Sequence, residues 1–269
     1  LANPIIGSKD LLADFLEDLQ IFNIESTSNL YAELSGYTID VYSTTERKYI
    51  DSIKTKNTHH MAFGPNGLLY AVRDGTIYIY NTVTKQQVGK MSTRRSRYFL
   101  FGPDGNLYVL NGNNQQQIHI YNLSTKNEIG KIHLANQVDY RKPFAFGPDG
   151  HLYVNRKNNL TKQIDIYNVT SKKQVDKMNV HARSAELAFG PDGLLYVNRR
   201  GAGNMFVYDI TTKKLVGQFN RNWYAHHIEF DSNGLLYAIS TSNGQRLQIW
   251  NVTTKQLVDT MNMNRRAEH

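Results

Sequence analysis

Hydrophobic and polar positions alternate along this 269-residue chain in short runs, and turn residues separate one run from the next. Alternation with a period of two, rich in Val, Ile, Tyr and Phe, predicts β-strands, whereas a helix would need a period of about 3.6. The runs come in groups of four. In one group they cover residues 143–146, 152–155, 164–167 and 174–178, so the pattern predicts four strands, A to D, in that group.

The groups are copies of one another, and three of them carry the motif FGPDG directly after strand A, with FGPNG in a fourth. Pro presets φ and Gly supplies the left-handed position, so this motif predicts a tight turn between strands A and B. The copies are FGPNGLLYAV from residue 63, FGPDGNLYVL from 101, FGPDGHLYVN from 146, FGPDGLLYVN from 189, FDSNGLLYAI from 230 and a weaker one, IESTSNLYAE, from 24. A second motif, such as QIDIYNVTSKKQVDKM from residue 163, follows each copy.

Six repeats of about 40 residues, each with four strands, are typical of a β-propeller. We therefore expect an all-β, six-bladed β-propeller of four-stranded antiparallel blades over residues 20–263. The blades are expected at about 20–54, 59–92, 97–133, 142–179, 185–220 and 226–262, with a tail at 264–269.

The N-terminal segment, residues 1–19, has a different pattern. Ser8 can cap a short helix over residues 9–19, because Leu12, Phe15, Leu16 and Leu19 would share one face of it. We expect this helix to pack on the ring of blades. The alternative is that it is a linker helix from a longer parent protein.

The repeats resemble those of the NHL and YVTN propeller families, in which FGPDG-x-LYV is followed by I-x-I-Y-N-x-x-T-x-K-x-V. The resemblance covers nearly the whole chain and implies the architecture. It implies no single function, because propellers carry many unrelated activities.

Loop lengths distinguish two ends of each repeat. In the group at residues 143–178, the span from Phe146 at the end of strand A to Tyr153 in strand B is 7 residues. The span from Tyr167 in strand C to Met178 at the end of strand D is 11 residues. Both spans have the same length in every repeat. The B–C and D–A spans vary between 10 and 14 residues. We call the end with the A–B and C–D turns the constant end, and the end with the B–C and D–A loops the variable end. Length variation gathered at one end of a repeat protein indicates its binding surface.

Charge is distributed unevenly between these ends. The chain has 31 Lys and Arg against 23 Asp and Glu, a formal charge of +8, and no cysteine, which excludes disulfides and Cys-ligated metals. Lysines lie in the C–D turns, where we assign them no function. Arginine suits bidentate binding of carboxylate or phosphate, and it gathers in the variable loops with aromatic and amide side chains. The predicted ligand-binding residues are Arg73, Arg97, Arg141, Arg156, Arg183, Arg199, Arg200, Arg221, Asn155, Asn198, Trp223, Tyr224, His59 and His226.

Histidines suggest an enzyme as the alternative. His59-His60 and His226-His227 precede strand A in two repeats, and Glu186 holds the position of His60 in a third. Such a set could supply a general base or hold a divalent metal. Among propellers, gluconolactonase-like enzymes hold a metal and virginiamycin B lyase-like enzymes act through His. The alternative is thus a lyase or lactonase acting on an anionic sugar or lactone, with His60, His227 and Glu186 as catalytic residues.

The absence of a nucleophile elbow, an HExxH helix, a phosphate loop and a GxGxxG motif favours a non-catalytic binding module that needs no cofactor. Its expected partner is a protein, a glycan or another anionic ligand, and nucleic acid is not favoured. No apolar run approaches the roughly 20 residues of a membrane span. We expect a monomer, and a secreted or cell-surface location is favoured over a cytoplasmic one.

Overall fold

The computed structural model describes residues 30–35, 38–43, 48–55, 58, 60–93, 95–96, 98–112, 116–138, 143–156, 162–181, 185–199, 204–220, 227–230, 235–240 and 246–262. These residues form 23 β-strands in six antiparallel sheets. Sheet I has three strands, β1 (Leu30–Ser35), β2 (Thr38–Ser43) and β3 (Lys48–Lys54). Each of the other five sheets has four strands in sequential order.

The four-stranded sheets follow one another along the chain. Sheet II has β4 (His60–Phe63), β5 (Leu69–Arg73), β6 (Thr76–Asn81) and β7 (Gln86–Ser92). Sheet III has β8 (Phe99–Phe101), β9 (Leu107–Leu110), β10 (Gln117–Tyr121) and β11 (Glu128–His133). Sheet IV has β12 (Phe144–Phe146), β13 (His151–Asn155), β14 (Gln163–Asn168) and β15 (Lys173–Asn179). Sheet V has β16 (Ala185–Phe189), β17 (Leu195–Arg199), β18 (Asn204–Asp209) and β19 (Lys214–Asn220). Sheet VI has β20 (His227–Phe230), β21 (Leu235–Ser240), β22 (Arg246–Asn251) and β23 (Gln256–Asn262).

The prediction of six four-stranded blades with an N-terminal helix is wrong. The described residues form five four-stranded blades and the three-stranded sheet I, and they contain no helix. The helix predicted over 9–19 and residues 20–29, the start of the first predicted blade, lie outside the described residues.

The predicted A–B turns are present where the motif is complete. In sheet IV, the amide of Gly150 donates to the carbonyl of Gly147 across 2.9 Å, and Gly150 has a φ of 74°. Glycine takes this left-handed conformation without the steric cost that a Cβ would add. The turn motif therefore fixes the pairing of β12 with β13.

Strand D has a β-bulge where it pairs with strand C, and this bulge recurs from sheet to sheet. In sheet IV, Tyr167 faces Gln174 and Ile166 faces Asp176, so Val175 is the extra residue and is 53% exposed. The same shift leaves Val88 in sheet II and Val216 in sheet V without a facing residue. A bulge bends an edge strand and interrupts its pairing, which protects the edge from adding a further strand.

The chain folds as two compact units. Unit 1 comprises residues 1–113 and 121–128, and unit 2 comprises residues 114–120 and 129–269. In unit 1, Tyr70, Val72, Phe99 and Leu107 belong to one buried core cluster. In unit 2, one cluster is built around Ile164 and Leu187, and a second around Ile228 and Leu236. No helix in the described part of the chain is long and apolar enough to cross a membrane.

Candidate functional site

The variable end of each four-stranded sheet is where strands A and C begin and strands B and D end, because the four strands form an antiparallel meander. In sheet IV the terminal residues of strands C and D face each other, and Gln163 Nε2 donates to Asn179 Oδ1 across 2.9 Å. The ends of strands B and C likewise place Asn155 opposite Ile164. The B–C and D–A loops, which differ in length, therefore connect strands at this end of each sheet.

Arg156, a predicted ligand-binding residue directly after β13, forms an ion pair with Asp165 of β14. Its Nε donates to Asp165 Oδ2 across 2.8 Å and its Nη2 to Oδ1 across 2.5 Å, a bidentate arrangement. The Asp165 side chain is 2% exposed and that of Arg156 is 14% exposed. The hydrogen bonds to Asp165 raise the pKa of the Arg156 guanidinium. Two further donors, Gln174 Nε2 and Asn136 Nδ2, reach the same carboxylate at 3.1 and 3.3 Å.

Arg73, at the end of β5, has the position in sheet II that Arg156 has in sheet IV, three residues after the strand B tyrosine. Its guanidinium carbon lies 4.0 Å from the centroid of the Tyr78 ring on β6. Tyr78 in turn has the position of Asp165, two residues before the strand C tyrosine. No ion pair joins Arg73 to another described residue. The same position in the repeat therefore holds a cation–π contact in one sheet and a buried ion pair in another.

A buried polar group lies at the variable end of sheet V. Glu186 on β16 faces Asn198 on β17, and Asn198 Nδ2 donates to Glu186 Oε2 across 3.3 Å. Glu186 is 5% exposed and Asn198 is 1% exposed. Asn155 is similarly buried at the equivalent position of sheet IV, and its backbone amide donates to the carbonyl of Pro143. The predicted residues Asn155 and Asn198 are thus interior groups in this structure.

His60, a residue of the enzyme alternative, lies at the start of β4 and is buried. Its Nε2 lies 3.0 Å from the carbonyl oxygen of Phe99, so this nitrogen carries the proton and donates. The imidazole also packs on the rings of Tyr98 and Phe99, with centroids 4.5 and 4.9 Å away. These contacts fix the ring orientation within unit 1.

Other predicted residues are described only in part. Arg199 ends β17 and His227 begins β20, but the structure describes only their backbones. The predicted residues outside the described parts of the chain are Arg97, Arg141, Arg183, Arg200, Arg221, Trp223, Tyr224, His59 and His226. Their roles remain predictions. Among the residues that the structure describes, no group of three His, Asp or Glu side chains is placed to hold a metal ion.

The partners of the two arginines, Tyr78 and Asp165, were not predicted from the sequence. Tyr78 and Asp165 stand at one position of the repeat, where sheet III has His119 and sheet V has Phe206. The signal was available, because this strand C position changes in chemical type while its neighbours stay apolar. Its meaning depends on strand pairing, which brings it diagonally opposite the residue that follows strand B.

No family model matches the chain, and no curated protein matches it. Among solved structures, a chain of the mitotic checkpoint complex is 14% identical with a TM-score of 0.66, covering 92% of this chain and 79% of that one. A chain of Kuenenia stuttgartiensis hydrazine synthase is 17% identical with a TM-score of 0.59, covering 77% of this chain and 66% of that one. The chain has a β-propeller architecture. At these identities the likeness shows the fold alone, and the resemblance to NHL and YVTN repeats gains no support from a family model.

Proposed function

We propose that this protein is a binding module that holds an acidic region of another protein at the variable ends of its sheets. The observation that carries the proposal is Arg73. Its guanidinium carbon lies 4.0 Å from the centroid of the Tyr78 ring, and Arg73 forms no ion pair with any described residue. A guanidinium over an aromatic ring still has N–H donors that can bind a carboxylate in bidentate fashion.

Other features agree with this proposal. Arg199 has the position of Arg73 in sheet V, and the residue diagonally across from it is Phe206, an aromatic side chain like Tyr78. The chain carries a formal charge of +8, which favours encounters with acidic partners. A structural neighbour belongs to a protein assembly, the mitotic checkpoint complex, which is consistent with a protein as partner. Arg156 differs, because Asp165 already neutralises its charge.

Charge reversal tests the proposal. The double variant Arg73→Glu/Arg199→Glu is compared with Lys173→Glu/Lys214→Glu, which changes the net charge equally but lies at the constant ends of sheets IV and V. Immobilised polyglutamate serves as a surrogate partner. We expect wild-type binding to weaken steeply between about 0.05 and 0.5 M NaCl. The arginine variant should lose roughly tenfold or more in affinity, and the lysine variant less than about twofold. Equal losses in both would mean that bulk charge, and not the variable end, attracts the anion.

A second function, a lyase or lactonase acting on an anionic sugar or lactone, has one specific observation in its favour. Glu186 is a buried carboxylate on β16, and β16 packs against β20, which begins with His227. Because these two strands pack together, the buried acid and the histidine are candidates for a general acid–base pair. A divalent metal, if the enzyme used one, would polarise the substrate carboxylate. Assays of polyuronate cleavage and lactone hydrolysis test this function. Turnover that Glu186→Gln abolishes would establish it, and an inactive wild-type protein with metal supplied would exclude these reactions.

A further inference from the structure

A tight turn follows strand D of sheet II and carries Arg95 on a rigid base. The Ser96 amide donates to the carbonyl of Thr93 across 3.3 Å, so Arg95 is the third residue of a β-turn. The hydroxyl oxygens of Thr93 and Ser96 lie 2.6 Å apart, and both residues are buried. The amide and the hydroxyl of Thr93 both donate to the carbonyl of Gly75, at 2.7 and 3.2 Å. The base of the turn is therefore fixed by interior hydrogen bonds.

Two glycines pack closely against the backbone of this turn. A Cβ added to Gly75 would lie 2.7 Å from the amide nitrogen of Arg95, and one added to Gly112 would lie 1.7 Å from its carbonyl oxygen. Only residues without a side chain fit at such distances. The backbone of Arg95 is thus enclosed by the β5–β6 turn on one side and by the segment after β9 on the other.

Arg95 is an unfavourable residue for the conformation that this enclosure imposes. Its φ is 51°, in the left-handed region, where the third residue of a turn is usually Gly or Asn. The strain of a non-glycine residue there persists only where the surroundings or function require it. The Arg95 side chain is exposed, and no ion pair or hydrogen bond to a described residue involves its guanidinium. Asp74, beside Gly75, forms no ion pair with it.

We propose that Arg95 is a pre-organised contact for a carboxylate of an acidic protein segment. The inference rests on the proposed function and names a residue of its binding surface. Arg95 is the third residue of the turn that follows strand D at the variable end of sheet II, the end at which the Arg73 guanidinium lies over the Tyr78 ring. Because the backbone of Arg95 is already fixed, binding has to order fewer torsion angles. The entropy cost of binding is therefore lower, and the affinity for the carboxylate is higher.

An acidic protein segment fits unit 1 better than a single-stranded nucleic acid. Nucleic acid of that kind is held by stacking its bases on exposed aromatic rings. In the described part of unit 1, Tyr98 and Phe99 beside this turn are 2% and 0% exposed, and Tyr78 has Arg73 over its ring. These rings are therefore not open for base stacking, whereas the guanidinium groups of Arg73 and Arg95 can donate to anionic oxygens.

Replacing Arg95 by glycine tests the proposal, because binding should weaken while stability is kept or gained. Glycine relieves the backbone strain, so Tm of Arg95→Gly should stay level or rise by about 2 °C. Affinity for polyglutamate should fall about three- to tenfold with the lost guanidinium. Arg95→Asn, which also tolerates a positive φ, should behave alike. Lys126→Gly is the matched control, since Lys126 has a φ of 59° and lies at the constant end, and its affinity should match that of wild type.

The outcomes separate this inference from the proposed function. If Arg95→Gly binds polyglutamate like wild type while Arg73→Glu/Arg199→Glu does not, the role of Arg95 is refuted and the binding module stands. If wild type fails to bind polyglutamate at low salt, the proposed function fails. A lower Tm in both Arg95 variants would show a structural role and refute the inference. Arg95-dependent binding of oligothymidylate without binding of polyglutamate would refute the choice of partner.

Discussion

At the constant ends of sheets III, IV and V, one hydrogen bond is repeated three times, whereas at the variable ends of sheets II and IV the same repeat position holds two different contacts. The constant bond joins the strand B tyrosine to the aspartate of the preceding turn. Its distances are 2.8 Å for Tyr108–Asp104, 2.9 Å for Tyr153–Asp149 and 2.8 Å for Tyr196–Asp192. At the variable ends, one repeat position gives Arg73 over Tyr78 and Arg156 on Asp165.

This difference shows which interactions define the repeat and which define a single sheet. In the three FGPDG repeats the turn keeps the same donor and acceptor, whereas in sheet II Asn66 takes the place of the aspartate and donates to Tyr70. The turns at the constant end and the apolar strand positions fix the strand register. At the variable end, a pair of diagonally opposite side chains can therefore change in chemistry without changing the fold. The proposed binding surface requires such variation. It also allows Arg156 to be neutralised by Asp165 while Arg73, at the same repeat position, has no carboxylate partner among the described residues.

The largest effect is expected from Arg156→Met. The substitution leaves the Asp165 carboxylate buried without its cation, and breaking a buried ion pair costs about 3 kcal/mol or more. Arg73→Met is the matched control at the same repeat position. It removes a partly exposed cation–π contact, which is worth about 0.5–1 kcal/mol. Urea denaturation measures both, and equal losses would contradict the distinction between the two arginines.

A smaller effect is expected from removing the tyrosine hydroxyl at the constant end. Tyr153→Phe should lower the free energy of unfolding by about 1.5 kcal/mol, because the hydrogen bond goes to a charged group. Tyr108→Phe and Tyr196→Phe should give similar values. In sheet II, Asn66 replaces the aspartate and donates to Tyr70, so Tyr70→Phe should cost less, about 1 kcal/mol.

Alkaline titration checks the same bonds. Burial and the neighbouring Asp149 raise the pKa of Tyr153 above its ordinary value of 10.0. Because the pKa is higher in the folded state, the stabilisation is complete below pH 10 and is lost as the pH rises above it. Wild-type stability should therefore fall above pH 10, and each Tyr→Phe substitution should make that decline shallower. Identical slopes in wild type and variants would contradict the assignment.

The smallest effect is expected for the ion pair between Lys213 and Asp176 at the constant end. Lys213 holds the pKa of Asp176 below its usual value of 3.8. Because the folded state has the lower pKa, the stabilisation is present above about pH 4 and is lost as the pH falls. Both side chains are partly exposed, so Lys213→Met should cost only roughly 0.5 kcal/mol at neutral pH.

Lys255→Met is the control for this ion pair. Lys255 has the same position in the next repeat, where its ammonium lies 5.9 Å from the centroid of the Phe219 ring instead of beside a carboxylate. Only the Lys213 variant should show a loss that vanishes at low pH and in high salt. A loss with the same pH dependence in both variants would rule out the ion pair as its source.

Strand positions and turns followed from the sequence because they depend on local rules. Residues 164–167 were predicted as a strand and lie within β14, and the FGPDG motif gives the left-handed glycine that it requires. Sheet I differs from the other sheets. Its described residues form three strands, whereas the repeat spacing of Tyr31 predicts four, and this copy of the repeat lacks the FGPDG motif.

The candidate site divides in the same way. The sequence by itself determined where arginines gather, because loop lengths and residue types can be read along the chain. Only the tertiary structure decided what each one does, since Asp165 lies nine residues from Arg156 in sequence and meets it across two paired strands. Likewise, the enclosure of Arg95 depends on Gly75 and Gly112, which are remote in sequence. Local propensity sets strands and turns, whereas the partner of a charged side chain depends on which strands pair and which loops pack against them.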